Sequence, residues 1–328
     1  MTGARPWPAT LAAVAGSVTV GFMPIMARML YADGLDASSM LFWRYAIALP
    51  ALLTAAVVTR VDLVWAWRTG AWKIAIVGAT LGVGQTICFW ESIRFIDTGL
   101  ADLLFYTYPG LTLLLDRLLF GWPVRAKAVL CVAIILAGAA LITVPGLRSG
   151  AIDLRGLAWA LPSPLIYVFY LAANSVLLRG QKPLAGAIGL YSGMALAFGA
   201  TCAVAGLNVP ANAGTWAVMA AAALGPGALV ITLFSYSVPR LGASSYAIVA
   251  NMELVTVVTV GVTLLGEQMT RERAMGGALI VAGIVGYGLL RSPEGAPGPI
   301  PLGQESPRGP VTSLLKKRQT GRRVRASG

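Results

Sequence analysis

The chain contains no histidine. That removes the commonest metal ligand and the commonest general base at neutral pH. Charge is scarce as well: Asp, Glu, Lys and Arg make up 12% of 328 residues, where a globular domain carries about a quarter. A soluble helical protein needs far more charge on its outer faces. The three cysteines, Cys88, Cys131 and Cys202, all fall inside apolar stretches and read as reduced packing residues, not as a disulfide framework. No Gly-x-x-x-x-Gly-Lys-Ser/Thr loop occurs, so the sequence offers no nucleotide-driven motor of its own.

What is abundant is apolar side chain, 57% of residues, with a mean hydropathy of +0.75. It comes in blocks of about 20 residues, the length of a helix that crosses a hydrocarbon layer. Blocks at 8–29, 39–58, 72–94, 98–119, 126–145, 156–178, 183–206, 214–236, 242–265 and 274–290 predict an all-α integral membrane protein with ten transmembrane helices. The first block follows Arg5 and contains Pro24; it reads as a retained helix, not a cleaved leader. The widest internal joint, "PGLRSGAIDLR", divides the chain into 1–145, a linker 146–155, and 156–291. The tail 292–328 is rich in Pro, Gly, Ser and basic residues and is expected to be disordered.

The net charge of +12 is concentrated in "LLKKRQTGRRVRASG" and in short joints. That distribution suits anionic lipid headgroups at the tail and no nucleic acid. Lys and Arg favour the joints around Arg60, Arg117, Arg179 and Arg240, which predicts both termini cytoplasmic in a cytoplasmic (inner) membrane.

Sliding the chain against itself by 145 residues pairs Phe89 with Phe234, Ser92 with Ser237, Gly121 with Gly266, Ala137 with Ala282 and Gly138 with Gly283. The order of blocks repeats too. Two halves of five spans each must be upside down relative to one another, the inverted-repeat plan of alternating-access carriers, with a site at mid-membrane between the halves.

Polar residues inside the spans mark candidates for that site. Asp102, Tyr106, Pro109, Leu113 and Asp116 share one helical stripe of the fourth span. Such a stripe must face protein or a watery cavity, and Pro109 in a span interior frees a backbone carbonyl. Asp102 and Asp116 lie nearer the span ends, where they can stay solvated. The 145-residue shift sets Asn251 opposite Tyr106 and Glu253 opposite Tyr108. Tyr106 and Asn251 are expected to face each other across the pseudo-two-fold axis. Glu253 is the deepest carboxylate of the second half. A permanent charge there is costly, so it reads as a proton-coupling residue, as a counter-charge to a substrate amine, or as a structural acid bonded to a neighbouring helix. Gln85 and Trp90 in the third span, Tyr167, Tyr170 and Asn174 in the sixth, and Tyr236 in the eighth complete the substrate-binding set with Tyr106, Tyr108, Pro109 and Asn251. Arg44, in "LFWRYA", reads as a structural cation that snorkels or pairs with Asp97 or Glu91. No metal site or cofactor is expected.

The early arginine of "FWRY", "GLADLLFYTYPGL" in span four, and "LLGEQMT" followed by "GGALIVAGIVGYGL" together resemble the EamA-type drug/metabolite transporter superfamily over residues 8–290. The resemblance implies a central cavity between two five-helix halves, lined by helices one, three, four, six, eight and nine. Two departures stand out. Trp122 occupies the place of the acid that Glu267 retains in the second half, and "MELV" puts Leu254 where the family often has proline, so helix nine is expected to be straighter than helix four. The function read from all this is a secondary transporter exporting small amphipathic metabolites such as amino acids, as a monomer or homodimer and not an enzyme. The alternatives are an intramembrane enzyme on a lipid-soluble substrate, or a passive channel.

Overall fold

A computed structural model describes residues 7–96, 98–120, 125–144, 153–265 and 269–290. The readings attached to Asp97, Gly121, Trp122, Gly266, Glu267, the linker up to residue 152 and the tail from 291 lie outside these. Every regular element among the described residues is helical. In hydrocarbon no water satisfies the backbone, so a chain this apolar must close its hydrogen bonds within helices. Side chains such as Leu118, Leu196, Val204 and Leu289 point outward and are well exposed, as a lipid-facing surface requires.

The first helical run is α1 (Trp7–Val20) and α2 (Met23–Ala32), and the second is α3 (Ala37–Val58). The third contains α4 (Leu63–Ala66), a π-helical turn (Trp67–Ala71), α5 (Trp72–Val77), a second π turn (Gly78–Gly82) and α6 (Val83–Ser92). Then come α7 (Thr98–Phe105), α8 (Tyr108–Phe120) and α9 (Ala126–Thr143). The second half runs through α10 (Leu154–Ala160), α11 (Pro162–Leu177), α12 (Pro183–Ala205), α13 (Ala213–Ala222), a π stretch (Ala223–Leu229) and α14 (Val230–Leu241). It closes with α15 (Ala243–Ala250), α16 (Met252–Leu265) and α17 (Arg271–Leu290). Seven of the runs are long and apolar enough to cross a membrane, and Ala126–Ile142 is a shorter apolar helix.

Helix starts follow local chemistry. Asp36, Asp62, Asp153 and Asn212 each accept a hydrogen bond from a backbone N–H in the first turn of α3, α4, α10 and α13. The third run starts at Leu63, ahead of the predicted 72, because of the Asp62 cap. Gly70, at φ 122°, then bends it, so the helix redirects close to Trp72.

The 145-residue offset governs the architecture. Thr98 and Ala243 open α7 and α15, Phe105 and Ala250 close them, Tyr108 and Glu253 stand in the next helix, and Ala126 and Arg271 open α9 and α17. The π stretches at Gly78 and Ala223 begin at equivalent positions as well. Packing repeats in the same way. Helix α3 lies along α12, and α9 along α17; α1 on α14 matches α10 and α11 on α6, and α16 on α17 matches α8 on α9.

At the α9–α17 crossing only glycine fits. A Cβ on Gly138 would lie 2.6 Å from the Gly276 carbonyl oxygen, and one on Gly276 2.6 Å from that of Gly138. The equivalent contact sets Gly283 against the Cys131 carbonyl oxygen, 3.0 Å from where a Cβ would be. Residues rise along α9 as they fall along α17, so the two helices are antiparallel. Small residues of this kind let transmembrane helices approach on backbone atoms. Gly277, next in sequence to Gly276, has open space around it. Gly276→Ala is therefore expected to lower the unfolding temperature in detergent by several degrees, whereas Gly277→Ala leaves it unchanged or raises it slightly through the better helix propensity of alanine. Equal losses from both variants would remove the crossing as the cause.

Candidate functional site

The site forms where helices break. The fourth run is interrupted at Tyr106–Thr107 and the ninth at Asn251, 145 residues apart for Tyr106 and Asn251. Pro109 thus stands in the first turn of α8, where a missing N–H costs little, and not in the interior of a continuous helix. Helix nine, which lacks that proline, is interrupted at one residue where helix four is interrupted at two. Its break is held by Asn251, whose Nδ2 donates to the Ala247 carbonyl at 2.8 Å and reaches the Ile248 carbonyl at 3.5 Å. An amide side chain that competes for its own backbone does here what proline would do. Each break leaves a new helix N-terminus about 12 Å, eight residues, inside the run. Glu253 occupies the first turn of α16, where a negative charge suits the helix dipole.

Around Glu253 the structure gathers groups from both halves. Its carboxylate is half-buried and lies within electrostatic reach of the hydroxyls of Tyr106, Tyr108, Tyr167 and Tyr246, and of Asp102 and the Arg44 guanidinium. The rings form a continuous series. Phe105 meets Tyr108 and Tyr167 at 5.3 and 5.2 Å between centroids, Tyr167 stacks on Tyr170 at 5.9 Å, and Tyr170 leads through Phe234 to Tyr246. In the other direction Phe105 leads through Phe89 to Trp90 and Tyr31. There the rings line a cavity of about 280 Å³ with Ser38, Thr86, Glu91, Arg94 and Phe198.

Tyr106, Tyr108, Tyr167 and Tyr170 thus come together. Asn174 and Asn251 are fully buried, each bonded to a carbonyl of its own helix, and each leaves its Oδ1 without a partner. Trp90 belongs to the outer cavity, not to the deep cluster. Gln85 is half-buried and its backbone carbonyl accepts from Ser163 Oγ at 3.2 Å, which ties α6 to α11. Tyr236 stands apart, with the Arg240 guanidinium 3.9 Å from its ring centre.

Three residues change their reading. Arg44 does not pair with Glu91, and its pairing with Asp97 lies outside the described residues. Its Nη2 donates to the Pro226 carbonyl at 2.8 Å, inside the π stretch, and Tyr191 is a further hydrogen-bond partner. Glu91 instead takes Arg94, at 2.8 Å. Asp116 is not solvated: it is 6% exposed and accepts from Ser244 Oγ. Tyr246, Tyr45 and Tyr191 were missed altogether. An aromatic in an apolar helix reads as packing, and no spacing marks these three.

No curated protein matches the chain. A solved structure described only as the crystal structure of a protein superposes with a TM-score of 0.71, at 18% identity, over 86% of this chain and 97% of that one, which shows a common fold. The model of the EamA-like transporter family matches twice, over residues 7–144 and 154–289. A multi-pass helical chain matched in this way from end to end belongs to the EamA-like transporter family.

Proposed function

We propose that the chain is a secondary, alternating-access transporter that exports small amphipathic metabolites such as amino acids. In this reading it has ten spans in two inverted five-helix halves, 1–145 and 156–291, joined by 146–155, with both termini cytoplasmic. The observation that carries it is Glu253, a half-buried acid at the mid-span break of one half, within electrostatic reach of tyrosine hydroxyls, Asp102 and Arg44. A site of this kind offers flat apolar rings to a side chain and polar tips to charged ends. The antiparallel α9–α17 crossing and the matched packing of the halves support the inverted plan. Without histidine, a hydrolytic or metal-assisted reaction in the membrane has few side chains to draw on.

Glu253 is assigned the coupling role because a carboxyl can carry a proton across the low-dielectric centre in neutral form and release it where water enters. Proteoliposomes loaded with an amino acid mixture should show trans-stimulated uptake for the unaltered protein. Glu253→Gln should lower pH-driven uptake at least about tenfold and flatten its pH dependence. Unchanged rate and pH profile would take Glu253 out of the mechanism. Topology is tested separately: reporters fused after Arg155 and at Gly328 should read opposite sides of the membrane, and the same side for both would sink the two-halves plan.

A further inference from the structure

The matched packing of the two halves fails at particular places, and two of the failures point the same way. Helix α8 packs closely on α15, but the equivalent pair, α7 and α16, does not; α14 packs on α11 and α12, but the equivalent α6 does not pack closely on α2 and α3 among the described residues. The open places are at the end of the molecule formed by the α2–α3 and α6–α7 connections, where the cavity lined by Tyr31, Ser38 and Trp90 lies. The closed places are at the other end, where α8 finishes and α15 begins.

At that closed end Asp116, from the last turns of α8, meets Ser244, in the first turn of α15. Ser244 Oγ donates to Asp116 Oδ2, and the Ser244 backbone N–H faces the same carboxylate. Helix α15 has particular need of this. Its N-cap is Gly242, which has no side chain, and no cap bond is made from within the chain segment itself. Orphan N–H groups in a low-dielectric place require an acceptor, and Asp116 supplies it from the other half. Asp116 Oδ1 is buried without a partner, so the carboxylate is committed to this one contact. Beside it Ser245 Oγ lies 3.2 Å from the Tyr287 hydroxyl and ties α15 to α17. The positions equivalent to Asp116 and Ser244 are Gly261 and Gly99. Neither can make such a bond, so the device exists at one end only.

We infer that Asp116 and Ser244 form a latch that holds the α8–α15 end of the transport path shut while the opposite end is open. This rests on the alternating-access reading. Opening the latched end must part α8 from α15, which strips the cap from α15 and leaves the Asp116 carboxylate to water. The latch acts about 14 Å from Glu253, nine residues along α15 and α16, so it touches no proposed substrate contact.

The test measures access, not transport. In a protein freed of its three cysteines and held in lipid nanodiscs, with both faces open to reagent, single reporters are placed at Thr112→Cys and Ser38→Cys. Thr112 is fully buried one turn inside Asp116, and Ser38 lines the open cavity. With Asp116→Ala, maleimide labelling at 112 should rise about fivefold or more, as expected for the loss of a helix cap, and labelling at 38 should fall. Ser244→Ala should act in the same direction, and Asp116→Asn, which keeps an acceptor, should have a smaller effect. No change at 112 in both Asp116→Ala and Ser244→Ala overturns the latch. A rise at both reporters marks general loosening and overturns it too. A rise at 112 with no change at 38 keeps the latch and overturns alternating access instead.

Discussion

Everything distinctive in this structure follows from the absence of water around the backbone. A helix that crosses hydrocarbon can be interrupted only where something else takes up its orphaned N–H and C=O groups. The interruptions here are many, and several have a polar side chain beside them. Asn251 returns its amide to Ala247. The π stretch at Pro226 gives a carbonyl to Arg44. Thr112 closes on the Tyr108 carbonyl at 2.6 Å, just past the break in the fourth run. Polar side chains therefore collect where the helices are broken, and the candidate site is the place where they collect.

This explains how much the sequence could tell. Lipid writes its demand into composition, so the helical runs and the 145-residue shift were legible as blocks of apolar residues and as a repeated order. Tyr106 and Asn251 stood out because polar groups at mid-span need a reason. The interruption of helix nine was not read, because Leu254 in place of proline argued for a straighter helix; it falls at Asn251, whose side chain bonds its own backbone.

What remained illegible was which face each side chain takes. Asp116 sits four residues from a helix end, where a carboxylate ordinarily finds water. Only the arrival of α15, 128 residues later in the chain, buries it. Arg44 bonds a backbone oxygen of the eighth run, inside its π stretch, a partner that no charge pattern announces. Tyr246 enters the ring series through Phe234, a contact between helices that no local pattern announces.

The glycine crossing of α9 and α17 has a consequence beyond packing. Gly138 touches Gly276, and the 145-residue shift turns that contact into Gly283 against Cys131, which is also present. A contact that maps onto itself in this way is the isologous interface of a two-fold homodimer, here made within one chain. Two separate copies would be bound to carry the same residue on both sides of the axis. Fusion lifts that bond. One half can hold Tyr108 and the other Glu253 at equivalent places, so a scaffold with the shape of a symmetric dimer carries a phenol and a carboxyl where two copies would carry the same group twice.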